Sequence, residues 1–304
     1  MISTRDRYVG ALLGLACGDA VGTTVEFSPR GSFAPVTDMT GGGPFSLQAG
    51  QWTDDTSMAL CLAESLLTKG GLDPADQMGR YLKWWRRGYL SATGSCFDIG
   101  MTVQDALARF QVSGDPYSGS TAARSAGNGS LMRLAPVILF AHPDIGNVHQ
   151  YAAQSSRTTH GAAEAVESCQ LFGEIISAAL SGKPKHALMK DLQFTPLLAT
   201  TGAIASGAFL DKAEKEIVGS GYCIASLEAA LWCFFKTDTF EDAVLRAANL
   251  GDDADTTAAI VGQIAGAFYG VGAIRADWLN KLYMRDEIEA MAVNLYQRFN
   301  PEST

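Results

Sequence analysis

Glycine recurs at positions 10, 14, 18 and 22 of a segment, residues 5–22, that otherwise reads as a helix with Ala11, Leu12, Leu15 and Ala16 along one side. Residues four apart share a helix face, so the four glycines form one smooth groove that another helix can enter. The chain holds 32 glycines in all, and alanine is abundant inside its helix-like segments. Small residues let helix backbones approach closely, and tight helix-on-helix packing is the expectation. No run of alternating, β-branched residues argues for a strand. The expected fold class is therefore all-α. A single compact multi-helix domain, 1–304, is the economical arrangement, because no repeat, low-complexity tract or linker divides the chain.

Helical periodicity also appears at 54–69, from Asp73-Pro74 to about Arg87, and from Gly100 through Phe110. It returns at about 144–156, 161–181, 198–218, 223–236, 240–249, 255–271 and 284–298. Dense turn signals make Thr23 to Gly50 a loop, with Glu26 inside it. A loop of that length within a compact domain is commonly functional. Pro136 falls in a predicted helix and is expected to break or kink it.

The composition, 47% hydrophobic and 18% charged, suits a chain with a sizeable core. A net charge of −9 argues against nucleic acid or an anionic membrane as the main partner. Val9 to Val21 is interrupted by Gly10, Gly14, Gly18 and Asp19, so no membrane span is expected there. The N-terminal residues, Met1 to Arg7, lack the apolar core of a signal peptide. The six cysteines are scattered without a C-x-x-C pair and read as reduced thiols. A cytoplasmic protein is the expectation.

Two stretches concentrate hard oxygen donors just before helix-like segments: Thr53-Asp54-Asp55-Thr56 and Gly251-Asp252-Asp253-Ala254-Asp255-Thr256-Thr257. Crowded carboxylates repel one another unless a cation or a shared proton relieves them. With no Cys or His nearby, oxygen ligands favour Mg²⁺, Mn²⁺ or Ca²⁺ over zinc. Helix capping is the competing reading, since Asp and Thr are ordinary N-caps. Two clusters, each richer in oxygen than a cap requires, favour a shared metal site. Gly127-Asn128-Gly129-Ser130, at a predicted helix start, could hold phosphate on its backbone amides or be an ordinary turn. His160 precedes a long helix and reads either as a ligand-contacting group or as a packed cap. Glu26 and Asp98 lie in apolar or glycine-rich surroundings that can raise a carboxyl pKa and suit acid–base work, although surface positions are equally compatible.

Taken in order, Gly18-Asp19-Ala20-Val21-Gly22 with Glu26, Trp52 to Thr56, Gly127 to Arg133, His160-Gly161 and Gly251 to Thr256 resemble the ADP-ribosylglycohydrolases. Thr93 to Gly100, and Gly221-Tyr222 ahead of Leu227 to Trp232, look most like the branch typified by the dinitrogenase reductase-activating glycohydrolase. The resemblance covers residues 6 to 272 and implies an all-α fold with two divalent ions, Mg²⁺ or Mn²⁺, beneath an ADP-ribose cleft. It implies Thr53, Asp54, Asp55, Asp253, Asp255 and Thr256 as metal ligands, and Glu26, Asp55, Asp98 and Asp255 as the catalytic set. It further implies Gly127, Asn128, Gly129 and Ser130 against diphosphate, His160 against the nucleotide and Tyr222 along the cleft. Asp252 stands where the family often has glycine, and Ala254 where it often has threonine. The implied activity is release of ADP-ribose from a modified protein side chain, with arginine the favoured acceptor; a monomer is expected separately, because no stretch reads as an obligate dimer seam. The alternative is a module that binds ADP-ribose, or blocks a transferase, with little turnover.

Overall fold

A computed structural model of the chain describes residues 2–298. Among these residues there are thirteen α-helices and no strand beyond isolated bridges. The helices are α1 (Thr4–Gly22), α2 (Asp54–Lys69), α3 (Pro74–Arg87), α4 (Met101–Ser113), α5 (Ala135–Ala141), α6 (Ile145–Thr159) and α7 (Ala163–Leu180). They continue with α8 (Ala199–Ala205), α9 (Cys223–Phe235), α10 (Phe240–Ala248), α11 (Ala254–Tyr269), α12 (Ala276–Lys281) and α13 (Arg285–Gln297).

The glycine groove of α1 receives α11. A methyl group added to Gly10, Gly14, Gly18 or Gly22 would stand 2.4, 2.3, 2.1 or 2.4 Å from the carbonyl oxygen of Gly266, Gly262, Ala258 or Ala254. The descending order of those partners makes the two helices antiparallel, and backbone meets backbone at four successive points from Gly10 to Gly22. The C-terminal end of α1 is thereby set against the first turn of α11. At the opposite end, Arg7 donates to the carbonyls of Ala179 and Ala267 at 3.2 and 3.0 Å, placing a cation against the C-terminal turns of α7 and α11. Residues 8 to 22 of α1 are buried throughout. The segment Thr4–Val25 is long and apolar enough to cross a membrane by composition, but 94% of its apolar window lies inside the fold. That is the position of a core helix. The other helices wrap this pair, and Trp52, Phe172, Phe234 and Phe240 are fully buried around it.

Local signals act as expected at α3, where Asp73 accepts from the amides of Ala75 and Asp76 and Pro74 occupies the first turn. Three departures stand out. The helix expected over 198–218 stops at Ala205, because Gly207 takes φ 78° and only short 3₁₀ turns follow. Pro136 sits in the first turn of α5, where its missing N–H breaks no helical bond, so it opens that helix rather than kinking it. The short helix α12 has no counterpart in the periodicity reading. All six cysteines are free thiols, and five of them are buried.

Candidate active site

Two helices begin at one place: α2 just after Thr53, and α11 just after Asp253. Their positive ends favour carboxylates in the first turn, where Asp54, Asp55 and Asp255 stand. Neither N-cap side chain makes a capping hydrogen bond. The cap of α2 comes instead from Asp19, in the last turn of α1. Its Oδ1 accepts from the Thr53 amide and hydroxyl, both at 2.9 Å, and its Oδ2 from the Thr56 amide and hydroxyl at 3.0 and 2.6 Å. Asp19 is absent from the candidate residues above. Its signal in the sequence is an ionisable group on an otherwise apolar helix, which must find partners when buried.

The two acidic clusters converge. Thr53 Oγ1 lies 3.2 Å from Asp255 Oδ2 and 3.3 Å from Asp55 Oδ2, and Thr256 Oγ1 lies 3.4 Å from Asp55 Oδ2. Glu26, Asp98 and Asp255 each offer an oxygen within 4.8 Å of the others. Asp253 is held from above by Asn128 Nδ2 at 2.6 Å. Among the described residues no Lys or Arg forms an ion pair with any of these carboxylates. Burial first, and neighbouring carboxylates second, push Glu26 to about 12. The same two causes raise Asp54, Asp55 and Asp255 well above the usual carboxylate range, and push Asp98 to about 7. Asp55 Oδ1 and Asp255 Oδ1 are buried without any hydrogen-bond partner. Carboxyl oxygens left bare among crowded acids, which burial and mutual repulsion make costly to ionise without a counter-ion, fit a hard divalent cation.

Above the floor opens a cavity of about 730 Å³. Glu26, Asp54, Asp98, Asp253, Asp255 and Thr256 line it below, and Gly127, Asn128, Gly129 and His160 line one wall. Thr53 and Asp55 are fully buried behind the lining. Ser130 also lies outside it, its hydroxyl accepting from Ser156 Oγ at 2.9 Å and Cys169 Sγ at 3.3 Å. Tyr222, the N-cap of α9, is 40% exposed and does not line the cavity; Ser220 and Gly221 do. Ala254 turns inward to the α1 seam, whereas Asp252 is exposed at the cavity edge.

Residues 128–133 form turns ahead of α5 and are not themselves a helix start, contrary to the expectation for Gly127 to Ser130. The amides of Gly127 and Asn128 donate to the carbonyls of Ser125 and Gly221 at 2.8 and 3.0 Å. Those of Gly129 and Ser130 donate to no acceptor among the described residues. Three non-glycine residues of the lining adopt left-handed backbone: Phe27 (φ 61°), Asp98 (φ 58°) and Asp252 (φ 56°). Such conformations persist where surrounding structure dictates them, and they cluster at functional sites. Here the Phe27 amide donates to the Asp252 carbonyl at 2.7 Å and the Asp252 amide to the Ser28 carbonyl at 2.8 Å, locking the loop that carries Glu26 onto the start of α11.

This fold is that of a known family. The chain matches the ADP-ribosylglycohydrolases over residues 1–304 and belongs to that family. It is 44% identical to the ADP-ribosylarginine hydrolase Tri1 of Serratia proteamaculans, over 96% of this chain and 79% of that protein. It is 33% identical to the ADP-ribosyl-[dinitrogen reductase] glycohydrolase of Rhodospirillum rubrum, over 94% of both chains. A solved structure described as an ADP-ribosylglycohydrolase-related protein complex superposes with a TM-score of 0.86 at 45% identity, covering 97% of this chain and 99% of that one.

Proposed function

We propose that this protein hydrolyses the glycosidic bond between ADP-ribose and an arginine side chain of a modified protein, with two Mg²⁺ or Mn²⁺ ions in its acidic floor. The observation that carries the reading is that Asp55 and Asp255, far apart in the chain, are brought together below one cavity through Thr53 and Thr256, each with a second oxygen buried and bare. The choice of arginine rests on the activities named for the Serratia relative and for a second, 43% identical Tri1 of Pseudomonas putida.

Thr53, Asp54, Asp55, Asp253, Asp255 and Thr256 would hold the ions, and the cluster of Glu26, Asp98 and Asp255 offers a further set of oxygens. Bound divalent ions would neutralise the floor, orient the ribose hydroxyls and lower the pKa of water. The unengaged amides of Gly129 and Ser130 would receive the diphosphate, with His160 beside them. Cleavage at the anomeric carbon builds oxocarbenium-like charge, which the surrounding carboxylates stabilise. The bond from that carbon to the guanidine nitrogen breaks, water supplies the new hydroxyl, and a proton passes to the departing nitrogen. Glu26 and Asp98 are the carboxyls placed to move it: they offer oxygens within 4.8 Å of each other, and burial first, then neighbouring carboxylates, raise both above the usual carboxylate range.

Arginine- and serine-ADP-ribosylated peptides, each incubated with Mg²⁺, Mn²⁺ or a chelator, test the proposal. Release of ADP-ribose from the arginine peptide in the presence of either ion is expected. Tight ADP-ribose binding with no release from either peptide would sink it and favour a binding module.

A further inference from the structure

Behind the cavity wall lies a cation with no counter-charge. Arg133, in the turns before α5, is fully buried, and among the described residues no carboxylate pairs with it. Its Nη1 donates to the Gly129 carbonyl at 2.7 Å and its Nη2 to Thr159 Oγ1 at 2.8 Å, while the guanidinium carbon sits 4.9 Å from the Tyr81 ring centroid. These two hydrogen bonds lead toward the cavity, whereas longer contacts from the same guanidinium reach the Ser155 carbonyl at 3.4 Å and Met58 Sδ at 4.0 Å.

The first polarises the peptide unit joining Gly129 to Ser130, whose N–H makes no bond within the described residues. A carbonyl that accepts from a cation makes the amide of the same peptide a stronger donor. The second sets a tautomer. Arginine has no acceptor, so Thr159 Oγ1 must accept from it and send its own hydrogen elsewhere. The other partner of that hydroxyl is His160 Nδ1, at 2.8 Å. Nδ1 is therefore the acceptor and the ring hydrogen is on Nε2. The opposite tautomer would leave the Thr159 hydroxyl hydrogen buried and unpaired. Burial and the nearby Arg133 charge hold the imidazole at about 3, so it is neutral. Nε2 itself has no hydrogen bond within the described residues and faces the phosphate-loop glycines: a methyl at Gly127 or Gly129 would stand 3.2 or 3.1 Å from it.

We propose that Arg133, working through Thr159 and through the Gly129 carbonyl, is a positioning residue that arms two donors, His160 Nε2–H and Ser130 N–H, for an anionic phosphate oxygen of the ligand. The relay answers an electrostatic problem, because a diphosphate must enter a cavity whose remaining charges are carboxylates. Its ligand class rests on the function proposed above.

The test begins with nitrogen–proton correlation spectra of the imidazoles in ¹⁵N-labelled protein, assigned with H160Q among the four histidines. Wild type should show His160 protonated at Nε2 alone. T159V should lose that single tautomer, and T159S should restore it. Calorimetry with ADP-ribose should show binding about tenfold weaker in T159V, as expected for losing a well-aimed bond to a charged oxygen, and near wild type in T159S. The KM for an ADP-ribosylated peptide should rise with kcat moved less. R133K, which keeps the charge without the planar fork, should behave like T159V; if it fails to fold, the T159V and T159S pair decides. A wild-type ring protonated at Nδ1, or T159V with unchanged spectrum and affinity, would overturn the relay. A wild-type protein with the expected tautomer but no affinity for ADP-ribose would overturn the ligand assignment, and with it the role given to these donors.

Discussion

Asp19 accepts four hydrogen bonds from Thr53 and Thr56, whereas Asp55, in the turn those bonds organise, leaves Oδ1 without a partner. Two buried carboxylates at one helix end are thus used differently, one to build the turn and one to present an oxygen. D19N would aim an amide group at donors, leaving some unpaired, and should cost roughly 2–3 kcal/mol in urea unfolding. D55N and D255N remove like-charge repulsion. In chelator-treated protein they should raise the melting temperature while lowering turnover with added Mn²⁺ at least about a hundredfold. Loss of turnover in D19N at unchanged stability would show that Asp19 is itself a ligand. The acidic clusters were legible because each packs its oxygens into one short stretch. Asp19 and Arg133 were not, because their partners are supplied from elsewhere in the chain: Thr53 lies 34 residues beyond Asp19, and Thr159 lies 26 beyond Arg133.

Among the helices, the seam between α1 and α11 leaves no room for a side chain. G14A would put a methyl 2.3 Å from the Gly262 carbonyl and 3.0 Å from the Phe240 ring, and should destabilise by about 3 kcal/mol through overpacking. Denaturant titration checks this. A second helix contact is sensitive to pH. His142 caps α5, and its Nδ1 meets Ser177 Oγ of α7 at 2.8 Å. Burial pushes its ring down to about 4. The unfolded chain binds a proton there below about 6.5 and the folded chain only near 4, so this contribution to stability is complete above 6.5 and lost as pH falls. Between pH 7 and pH 5 the loss should be roughly 2 kcal/mol, and H142Q should flatten the slope. The groove of α1 could be read from a four-residue period, but its partner could not, since nothing local in residues 254–269 says which backbone they will touch. The overlong helix at 198–218 has a local cause: apolar spacing continues past Gly207, whose left-handed backbone ends the turn.

For the molecule as a whole, the floor concentrates negative charge that folding alone does not compensate. Divalent ions that bind only the folded state should therefore stabilise it, by about 2.7 kcal/mol at a hundredfold excess over Kd. Thermal unfolding of chelated protein titrated with Mg²⁺ and Mn²⁺ measures this, and turnover should rise over the same concentrations. Full activity in chelator with no thermal shift would remove the metal from the mechanism. Apart from Asp98, which a loop supplies, the acids stand where α1 ends and where α2 and α11 begin, while much of the wall above them, including residues 99–100, 127–129 and 220–221, is loop. The seam that joins α1 to α11 fixes that lower geometry as firmly as a weld. Under the function proposed above, the entrance can be rewritten letter by letter without shifting the acidic anvil beneath it.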